Sequence, residues 1–501
     1  MMHGISMEGR FKALLSTLFA MVLALGVFFP SAALAETTGV TAANQGTATG
    51  KLTVTGLTDG DKVDIYKIVN TTIQGDNTLK HEFAADYGIS FDAYKVYASD
   101  SVEMKKAAET IGSSANLGAV AQPQKTATGT SVEFTGLSAG EYLVKVTPAS
   151  GKVVYQWSIA KLEYTAETGG VSYKLNDGSI AVKNTPVTID KKATGEDADT
   201  HNTSQYSVGQ VIPYTAEVTI PQYPSNATNR KFKVTDTMTA GLTYMKAVGF
   251  SIMVGSTDVS GSFDITHNAD GFVAEIKSDA AAAFFSTYNA GQKLTIKYGG
   301  KINSSAVVNT PDVNTITLEF ANNPYDEHSN DTVTDHVDNS TFGLKLVKVD
   351  NDTASPKPLQ GAEFTVYTDS ACEHPMVDEN GSVIKLTTNA QGIGTAKGFG
   401  EGTFYVKETK APAGYTPSGD IKTVTFKATK TLNPGGGYTI TIEHEGTGEY
   451  LNFYDAGSIV NVPQPGLPVT GGAGTVALTV VGVGLMAAAG VIVARSRKNE
   501  A

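Results

Sequence analysis

Three strand-like segments in the C-terminal part of the sequence carry polar side chains on faces that should be buried. Side chains alternate between the two faces of a β-strand. Alternation places Lys348, Glu408 and Asn452 each on a face that it shares with apolar residues two positions away. A lysine, a carboxylate and an asparagine can therefore project into one core, where an unpaired charge would be costly.

A second set of the same three residue types lies upstream. Alternation places Lys191, Asp236 and Asn314 on faces that they share with apolar neighbours. The recurrence of one amine, one acid and one carboxamide in a second strand-rich region favours a common chemical purpose.

The chemistry that fits these residues is an intramolecular isopeptide bond. Burial lowers the pKa of a lysine and makes it a neutral nucleophile, while a buried acid with a raised pKa can polarise the asparagine carbonyl. The lysine nitrogen attacks, ammonia leaves, and the amide would stabilise its domain by roughly 4 kcal/mol, like a long-loop disulfide. The alternative is that all these residues lie on the surface, because a register error of one residue reverses every face.

The composition predicts the strands that would position these residues. Glycine accounts for 52 of the 501 residues and there is a single Trp; the pattern is one of short alternating strands separated by turns, with one short helix within 92–111. We expect an all-β fold of three tandem immunoglobulin-like sandwiches over 36–185, 186–340 and 341–456. A Gly/Pro-rich spacer over 457–466 should be extended and flexible.

Charge and cysteine content exclude several function classes. The net charge is −12 without a basic stripe, which argues against nucleic acid as a partner. Cys372 is the only cysteine, so no disulfide can form within the chain, although secreted domains usually need such a constraint. The eight histidines have no metal-site spacing, and no catalytic triad or phosphate loop is present. We expect no metal, no cofactor and no enzyme active site.

The N-terminus has the features of a secretory signal peptide. A basic region precedes the apolar run 13–29, and Ala33-Leu34-Ala35 supplies the small residues that a signal peptidase recognises. We predict cleavage between Ala35 and Glu36. A membrane anchor is the alternative interpretation of the apolar run.

The C-terminus combines a short motif, an apolar segment and a basic tail. The motif is Leu467-Pro468-Val469-Thr470-Gly471, and the apolar segment 473–494 is long enough to cross a bilayer as a helix. Together they resemble the cell-wall sorting signal recognised by sortases. The resemblance implies that a sortase thiol attacks the carbonyl of Thr470, releases the chain from Gly471 onward, and passes the acyl group to an amine. A plain transmembrane anchor is the alternative.

Three internal segments extend the resemblance to the whole chain. The segment 405–415, YVKETKAPAGY, is similar to the E-box of Gram-positive sortase-assembled pilins, and 346–350 resembles the opening of a collagen-adhesin B-type (CNA-B) domain. The segment 234–242 resembles the acid-bearing strand of the middle domain in these pilins. The chain thus resembles a SpaA-type backbone pilin with CNA-A/CNA-B-type sandwiches.

This resemblance assigns partners to the buried residues. In the second domain, Lys192 and Asn309 are the main rivals of the implied pair. In the first domain, Val146 stands where the acid should be, so we expect no crosslink there. The implied crosslinks, with their assisting acids, are Lys348–Asn452 with Glu408 and Lys191–Asn314 with Asp236.

Lys183 is the candidate acceptor for the sortase reaction. Backbone pilins carry an acceptor lysine near the junction of their first two domains, often in a V-Y-P-K-N motif, and the segment 180–186 keeps Val, Lys and Asn of that motif. Attack by Lys183 on the acyl-enzyme formed at Thr470 of another copy would build a head-to-tail fibre outside the cell wall. The implied partners are sortase, other copies of the chain, minor pilins, peptidoglycan and host surface molecules. The alternative is a monomeric wall-anchored adhesin or a minor pilin.

Overall fold

The computed structural model confirms an all-β architecture of successive sandwiches. Among the described residues, no helix is both long and apolar enough to cross a membrane. The predicted signal peptide, sorting motif and apolar segment 473–494 lie outside the described residues. The structure describes residues 37–99, 101–118, 122–149, 151–193, 202–246, 249–288, 290–308, 310–432 and 438–465.

The first sandwich packs the sheet β4-β3-β7-β9, with β5 beside β3, over the sheet β12-β2-β6. Where one short helix was expected, the chain forms two, Phe91–Tyr94 (α1) and Val102–Gly112 (α2). The Ser101 side chain caps α2 by accepting a hydrogen bond from the Met104 amide at 3.0 Å. Its strands are Thr37–Val40 (β1), Gly50–Thr55 (β2), Lys62–Ile73 (β3), Leu79–Phe83 (β4), Lys125–Thr126 (β5), Ser131–Leu137 (β6), Gly140–Thr147 (β7), Val153–Tyr155 (β8), Ser158–Leu162 (β9), Tyr164–Ala166 (β10), Tyr173–Leu175 (β11), Gly178–Ala181 (β12) and Asn184–Pro186 (β13).

The second sandwich packs the sheet β14-β16-β23-β19-β20 against β15-β25-β24-β17-β22-β21. Its one α-helix among the described residues is Ser278–Thr287 (α3). Its strands are Ile189–Ala193 (β14), Asn202–Thr203 (β15), Val211–Thr219 (β16), Phe232–Met238 (β17), Leu242–Met245 (β18), Ser251–Val254 (β19), Thr257–Asp258 (β20), Phe263–His267 (β21), Gly271–Ile276 (β22), Lys293–Ile302 (β23), Asp312–Ala321 (β24) and Asn330–Asn339 (β25).

The polar segment rich in Asp and Asn that follows β24 forms strand β25. It pairs antiparallel with β24 along its whole length, and Val333 and Val337 are its buried apolar residues. Most of the other side chains of β25 are exposed or only partly buried. The segment therefore has the polar composition of a loop although it forms a strand.

The third sandwich packs the sheet β29-β26-β35-β31 against β28-β27-β30-β32. Its last strand, β35, runs parallel beside its first, β26. The predicted spacer is therefore wrong over 457–463, which belong to β35. Its strands are Phe342–Asp350 (β26), Glu363–Tyr367 (β27), Lys385–Thr387 (β28), Ile393–Phe399 (β29), Gly402–Lys410 (β30), Tyr415–Thr416 (β31), Ile421–Phe426 (β32), Ala428–Leu432 (β33), Tyr438–Ile442 (β34) and Phe453–Pro463 (β35).

The junctions between the sandwiches differ in character. The buried residues of the second and third sandwiches form one continuous apolar cluster, and the Gly400 amide donates to the Ser207 hydroxyl at 2.8 Å across this junction. The first sandwich has its own clusters and meets the second through a stacked pair, Trp157 and Tyr325, with ring centroids 3.7 Å apart. The second and third sandwiches are thus joined by a shared core, and the first by surface contacts together with the buried Val154 of β8, which belongs to that core.

Candidate functional site: two buried clusters of lysine, carboxylate and asparagine

In the third sandwich, Lys348 on β26 and Asn461 on β35 meet within one sheet, and Glu408 on β30 faces them from the other. Lys348 is 0% exposed, Asn461 1% and Glu408 4%. The Lys348 Nζ donates hydrogen bonds to the Asn461 side-chain carbonyl and, at 3.1 Å, to the Ile459 backbone carbonyl. The Asn461 Nδ2 donates to Glu408 Oε1 at 2.9 Å. Amine, amide and acid are therefore in contact.

The electrostatics of this cluster favour a reactive amine. Burial lowers the pKa of Lys348 from 10.5 to about 8, while the Glu408 carboxylate, 3.9 Å from the Nζ, acts in the opposite direction. The second Glu408 oxygen accepts a hydrogen bond from the Ser418 amide at 2.6 Å, which fixes the carboxyl group. Near pH 8 a substantial fraction of Lys348 is therefore neutral. It lies beside the Asn461 side chain, whose nitrogen is hydrogen-bonded to Glu408.

The predicted partner of Lys348, Asn452, is not part of this cluster. Asn452 lies in the turn before β35 with a φ of +59°, and its backbone N–H donates to Glu445 Oε1 at 2.7 Å. A left-handed residue interrupts the alternation on which the expectation rested. Beyond the turn, Ile459 and Asn461 are buried while their neighbours are exposed, so Asn461 replaces Asn452 as the amide facing Lys348. The sequence alone did not identify it, because Ile459-Val460-Asn461-Val462 carries apolar residues on both faces and the valines lie on the exposed one.

In the second sandwich the amine and the acid come from opposite sheets. Lys191 on β14 is 0% exposed and Asp236 on β17 is 1% exposed. The Lys191 Nζ lies 2.6 Å from Asp236 Oδ2. Asn314 on β24 is fully buried on the same face as Asp236, because the paired register sets it opposite Met238, two residues along β17. The three predicted residues therefore face one core.

Aromatic rings surround this second amine. The Lys191 Nζ lies 5.3 Å from the centroid of the Tyr214 ring and 5.4 Å from that of Tyr298. Burial lowers the pKa of Lys191 to about 8, against the attraction of Asp236, and burial raises the pKa of Asp236. Desolvation thus moves both groups towards a neutral amine and a neutral acid.

Two buried asparagines compete for the role of amide in this cluster. Asn339 is fully engaged: its oxygen accepts from the Tyr214 hydroxyl at 2.8 Å, and its nitrogen donates to the carbonyls of Asp312 and Val337. Neither amide atom of Asn314 has a hydrogen-bond partner among the described residues. An unpaired buried amide is costly, so Asn314 is the carboxamide that a reaction would relieve.

The rival residues do not form an equivalent cluster in the described structure. Lys192 is partly exposed, with its Nζ 3.2 Å from Asp190 Oδ2, and it points to the opposite face of β14 from Lys191. Asn309 lies outside the described residues. In the described part of the first sandwich no lysine is fully buried, and Val146 on β7 is an apolar core residue.

Lys183 lies between β12 and β13, at the junction of the first and second sandwiches, and is exposed. Its backbone carbonyl accepts a hydrogen bond from the Gln156 amide at 2.9 Å. The next residue, Asn184, donates its side-chain amide to the Gly56 carbonyl at 3.2 Å. The backbone is therefore held in place at an exposed residue.

Family comparisons agree with this arrangement of domains. Three family models match: a Gram-positive pilin backbone subunit 2, Cna-B-like domain at 208–324, a SpaA prealbumin-like fold domain at 342–435, and an LPXTG cell wall anchor motif at 459–501. The chain carries the domains of a Gram-positive backbone pilin. The chain is a cell-wall-anchored protein of the bacterial surface, and its anchor motif is one that sortase processes.

Relatives of this pilin include the trypsin-resistant surface T6 protein of Streptococcus pyogenes serotype M6, 25% identical over 417 residues that cover 76% of this chain and 72% of the relative. The fimbrial subunit type 2 of Actinomyces naeslundii is 25% identical over 415 residues, covering 74% and 72%. The structure of the T6 backbone pilin matches with a TM-score of 0.59 at 19% identity, covering 83% of this chain and 99% of that one. The major pilin SpaD of Corynebacterium diphtheriae matches with a TM-score of 0.50 at 19% identity, covering 83% and 98%. These structures share the fold.

Proposed function

We propose that this pilin is the backbone subunit of a covalent surface fibre in which Thr470 of one copy is joined to Lys183 of the next. The observation that carries the proposal is the position of Lys183, exposed on a fixed connection at the first junction of the chain. The sorting motif follows the third sandwich in sequence, so the second and third sandwiches separate the acceptor from the donor along the chain. Such a head-to-tail contact does not close on itself and propagates as a fibre.

Each of the last two sandwiches is stabilised by an internal isopeptide bond. In the third, Lys348 is joined to Asn461 with the help of Glu408, which the contacts among the three groups support. In the second, Lys191 is joined to Asn314 with the help of Asp236, which the buried ion pair and the unpaired amide support. Each reaction exchanges a buried amine and a primary amide for one neutral amide and ammonia, which removes the cost of burying a charge.

The fibre is tested by the size of the polymer in cell-wall extracts. Lys183→Ala should abolish the ladder of high-mass bands that resists boiling in detergent, and leave monomer. Lys152→Ala is the matched control, because Lys152 is also exposed near this junction and should leave the ladder intact. An unchanged ladder in Lys183→Ala would exclude this lysine as the acceptor, and a single band for the unaltered protein would identify a monomeric adhesin instead.

A further inference from the structure

The two clusters differ in how the acid reaches the amide. In the third sandwich the Asn461 nitrogen contacts the Glu408 carboxylate directly at 2.9 Å. In the second sandwich, Asp236 Oδ1 and both amide atoms of Asn314 are buried without a hydrogen-bond partner among the described residues. An acid that assists the second reaction therefore needs either a rearrangement or an intermediary.

Tyr298 occupies the position of such an intermediary. It projects from β23 into the core and is 2% exposed. Its hydroxyl donates to Asp236 Oδ2 at 2.5 Å, the same oxygen that accepts from the Lys191 Nζ at 2.6 Å. Asn314 shares the buried face of Asp236 across the paired strands β17 and β24, so the hydroxyl and the amide face one core. Burial raises the pKa of Tyr298 well above its usual value, and the Asn314 side chain lowers it, as it also does for Tyr214.

Tyr214 does not offer the same path. It lies opposite Tyr298 on the paired strands β16 and β23, and its ring also contacts the Lys191 amine. Its hydroxyl, however, donates to the Asn339 oxygen at 2.8 Å and has no hydrogen bond to Asp236 in the described structure. The Asn314 side chain lowers the pKa of both tyrosines, but of the two hydroxyls only that of Tyr298 donates to Asp236 in the described structure.

We propose that Tyr298 relays protons between Asp236 and the Asn314 amide while the second sandwich forms its isopeptide bond. The inference rests on the proposed Lys191–Asn314 bond. Lys191 first passes one ammonium proton to Asp236 Oδ2. Asp236 can then donate to the Tyr298 oxygen, which turns the tyrosine hydroxyl towards the Asn314 oxygen.

The proton balance of the reaction closes through this relay. The neutral Lys191 nitrogen attacks Cγ of Asn314, and the carbonyl electron pair moves to Oδ1, which takes the proton of Tyr298 while Asp236 restores it. Asp236 then takes a proton from the lysine nitrogen and returns it through Tyr298 to the amide nitrogen, so that the C–N bond breaks and ammonia leaves. As the carbonyl re-forms, the Oδ1 proton returns along the same path to Asp236. One lysine hydrogen stays on the new amide.

The test is a time course of ammonia loss in the mature ectodomain, followed by intact mass during cell-free synthesis, with peptide mapping to assign each bond. Tyr298→Phe keeps the ring and removes the relay, so the second-sandwich bond should form roughly a hundredfold more slowly, the range of general acid–base catalysis. The Lys348–Asn461 bond in the same molecule should form at its unaltered rate. Tyr214→Phe, the matched control, should form both bonds at the unaltered rates.

The outcomes separate the relay from the bond on which it rests. If the unaltered ectodomain never forms the Lys191–Asn314 bond, the proposed crosslink fails. If it forms that bond and Tyr298→Phe does so equally fast, only the relay is overturned.

A second measurement does not depend on the folding of Tyr298→Phe. Lys191→Met removes the amine and leaves the acid, the tyrosine and the amide in place. In a crystal structure of this variant, the Tyr298 oxygen should lie within hydrogen-bond distance of both Asp236 and Asn314. A direct hydrogen bond from Asp236 to Asn314, with the tyrosine turned away, would overturn the relay.

Discussion

Asn461→Ala should remove the crosslink of the third sandwich and most of the stability of that domain. Lys348 and Asn461 are 113 positions apart, and closing a loop of that length stabilises a protein by about 5 kcal/mol on chain-entropy grounds. The variant also keeps a buried amine whose pKa falls from 10.5 to about 8, which costs about 3 kcal/mol at neutral pH. Because domains have only about 5–15 kcal/mol of stability, the third sandwich should then be close to unfolding.

The assay combines intact mass with guanidinium unfolding of the mature ectodomain. Relative to the mass calculated from its own sequence, Asn461→Ala should lose one ammonia fewer than the unaltered protein does. Its third sandwich should unfold at a much lower guanidinium concentration. The matched control is Asn452→Gly, because glycine adopts the φ of +59° at this position without strain. The reasoning is refuted if Asn461→Ala still loses both ammonias, or if Asn452→Gly retains one.

Two further predictions concern charge and domain contact. In Asn461→Ala, the folded Lys348 binds its proton less tightly than the unfolded chain does, so the free energy of unfolding should rise between pH 8 and pH 10.5 by up to about 3 kcal/mol. The crosslinked protein should show no such gain in pH-dependent denaturation, and a flat profile in the variant would contradict a buried amine. Gly112→Ala places a Cβ only 1.8 Å from the Trp157 ring, so the emission of this single Trp should shift as the ring leaves its stack. Gly118→Ala, with open space around it, should not change the emission; equal spectra for both variants would contradict the contact.

The sequence was sufficient where a regular strand carried the pattern. Lys348 and Glu408 lie on long strands with strict alternation, so counting by two predicts their burial correctly. Lys191, Asp236 and Asn314 were found in the same way, and all three are buried. Which of these residues meet across the sandwich depends on how the strands pair and how the sheets pack, and alternation along a single strand cannot predict that.

The sequence was insufficient where the backbone departs from a strand. The left-handed φ at Asn452 interrupts the two-residue alternation of the strand. The burial of its neighbours therefore does not predict the direction of its side chain. The Gly and Pro residues of the segment 457–466 predict a spacer, yet residues 458–461 pair with β26, and such a parallel partner is too distant in sequence for a local pattern to reveal. Tyr298 was missed for a related reason: its role depends on the hydroxyl reaching Asp236 from the opposite sheet.

The proposed fibre also accounts for which sandwiches carry a cluster. If Lys183 receives the neighbouring subunit, tension enters the chain at the start of the second sandwich and leaves after the third. The part of the first sandwich that precedes Lys183, residues 37–182, then lies outside the path of tension. It is also the sandwich in whose described part no lysine is fully buried, so the clusters coincide with the domains that bear load.

Within the loaded domains, each bond would lie where tension first acts. In the third sandwich, force pulls β26 and β35 in opposite directions along their shared edge, because these parallel neighbours are the first and last strands of the domain. Hydrogen bonds between such strands can shear, but an amide between Lys348 and Asn461 transfers the load covalently and leaves the intervening residues unstretched. In the second sandwich, Lys191 lies on the entering strand and Asn314 on β24, so the bond would hold the two sheets together. A covalent link within one sheet and another between sheets thus meet the same mechanical demand through two different strand arrangements.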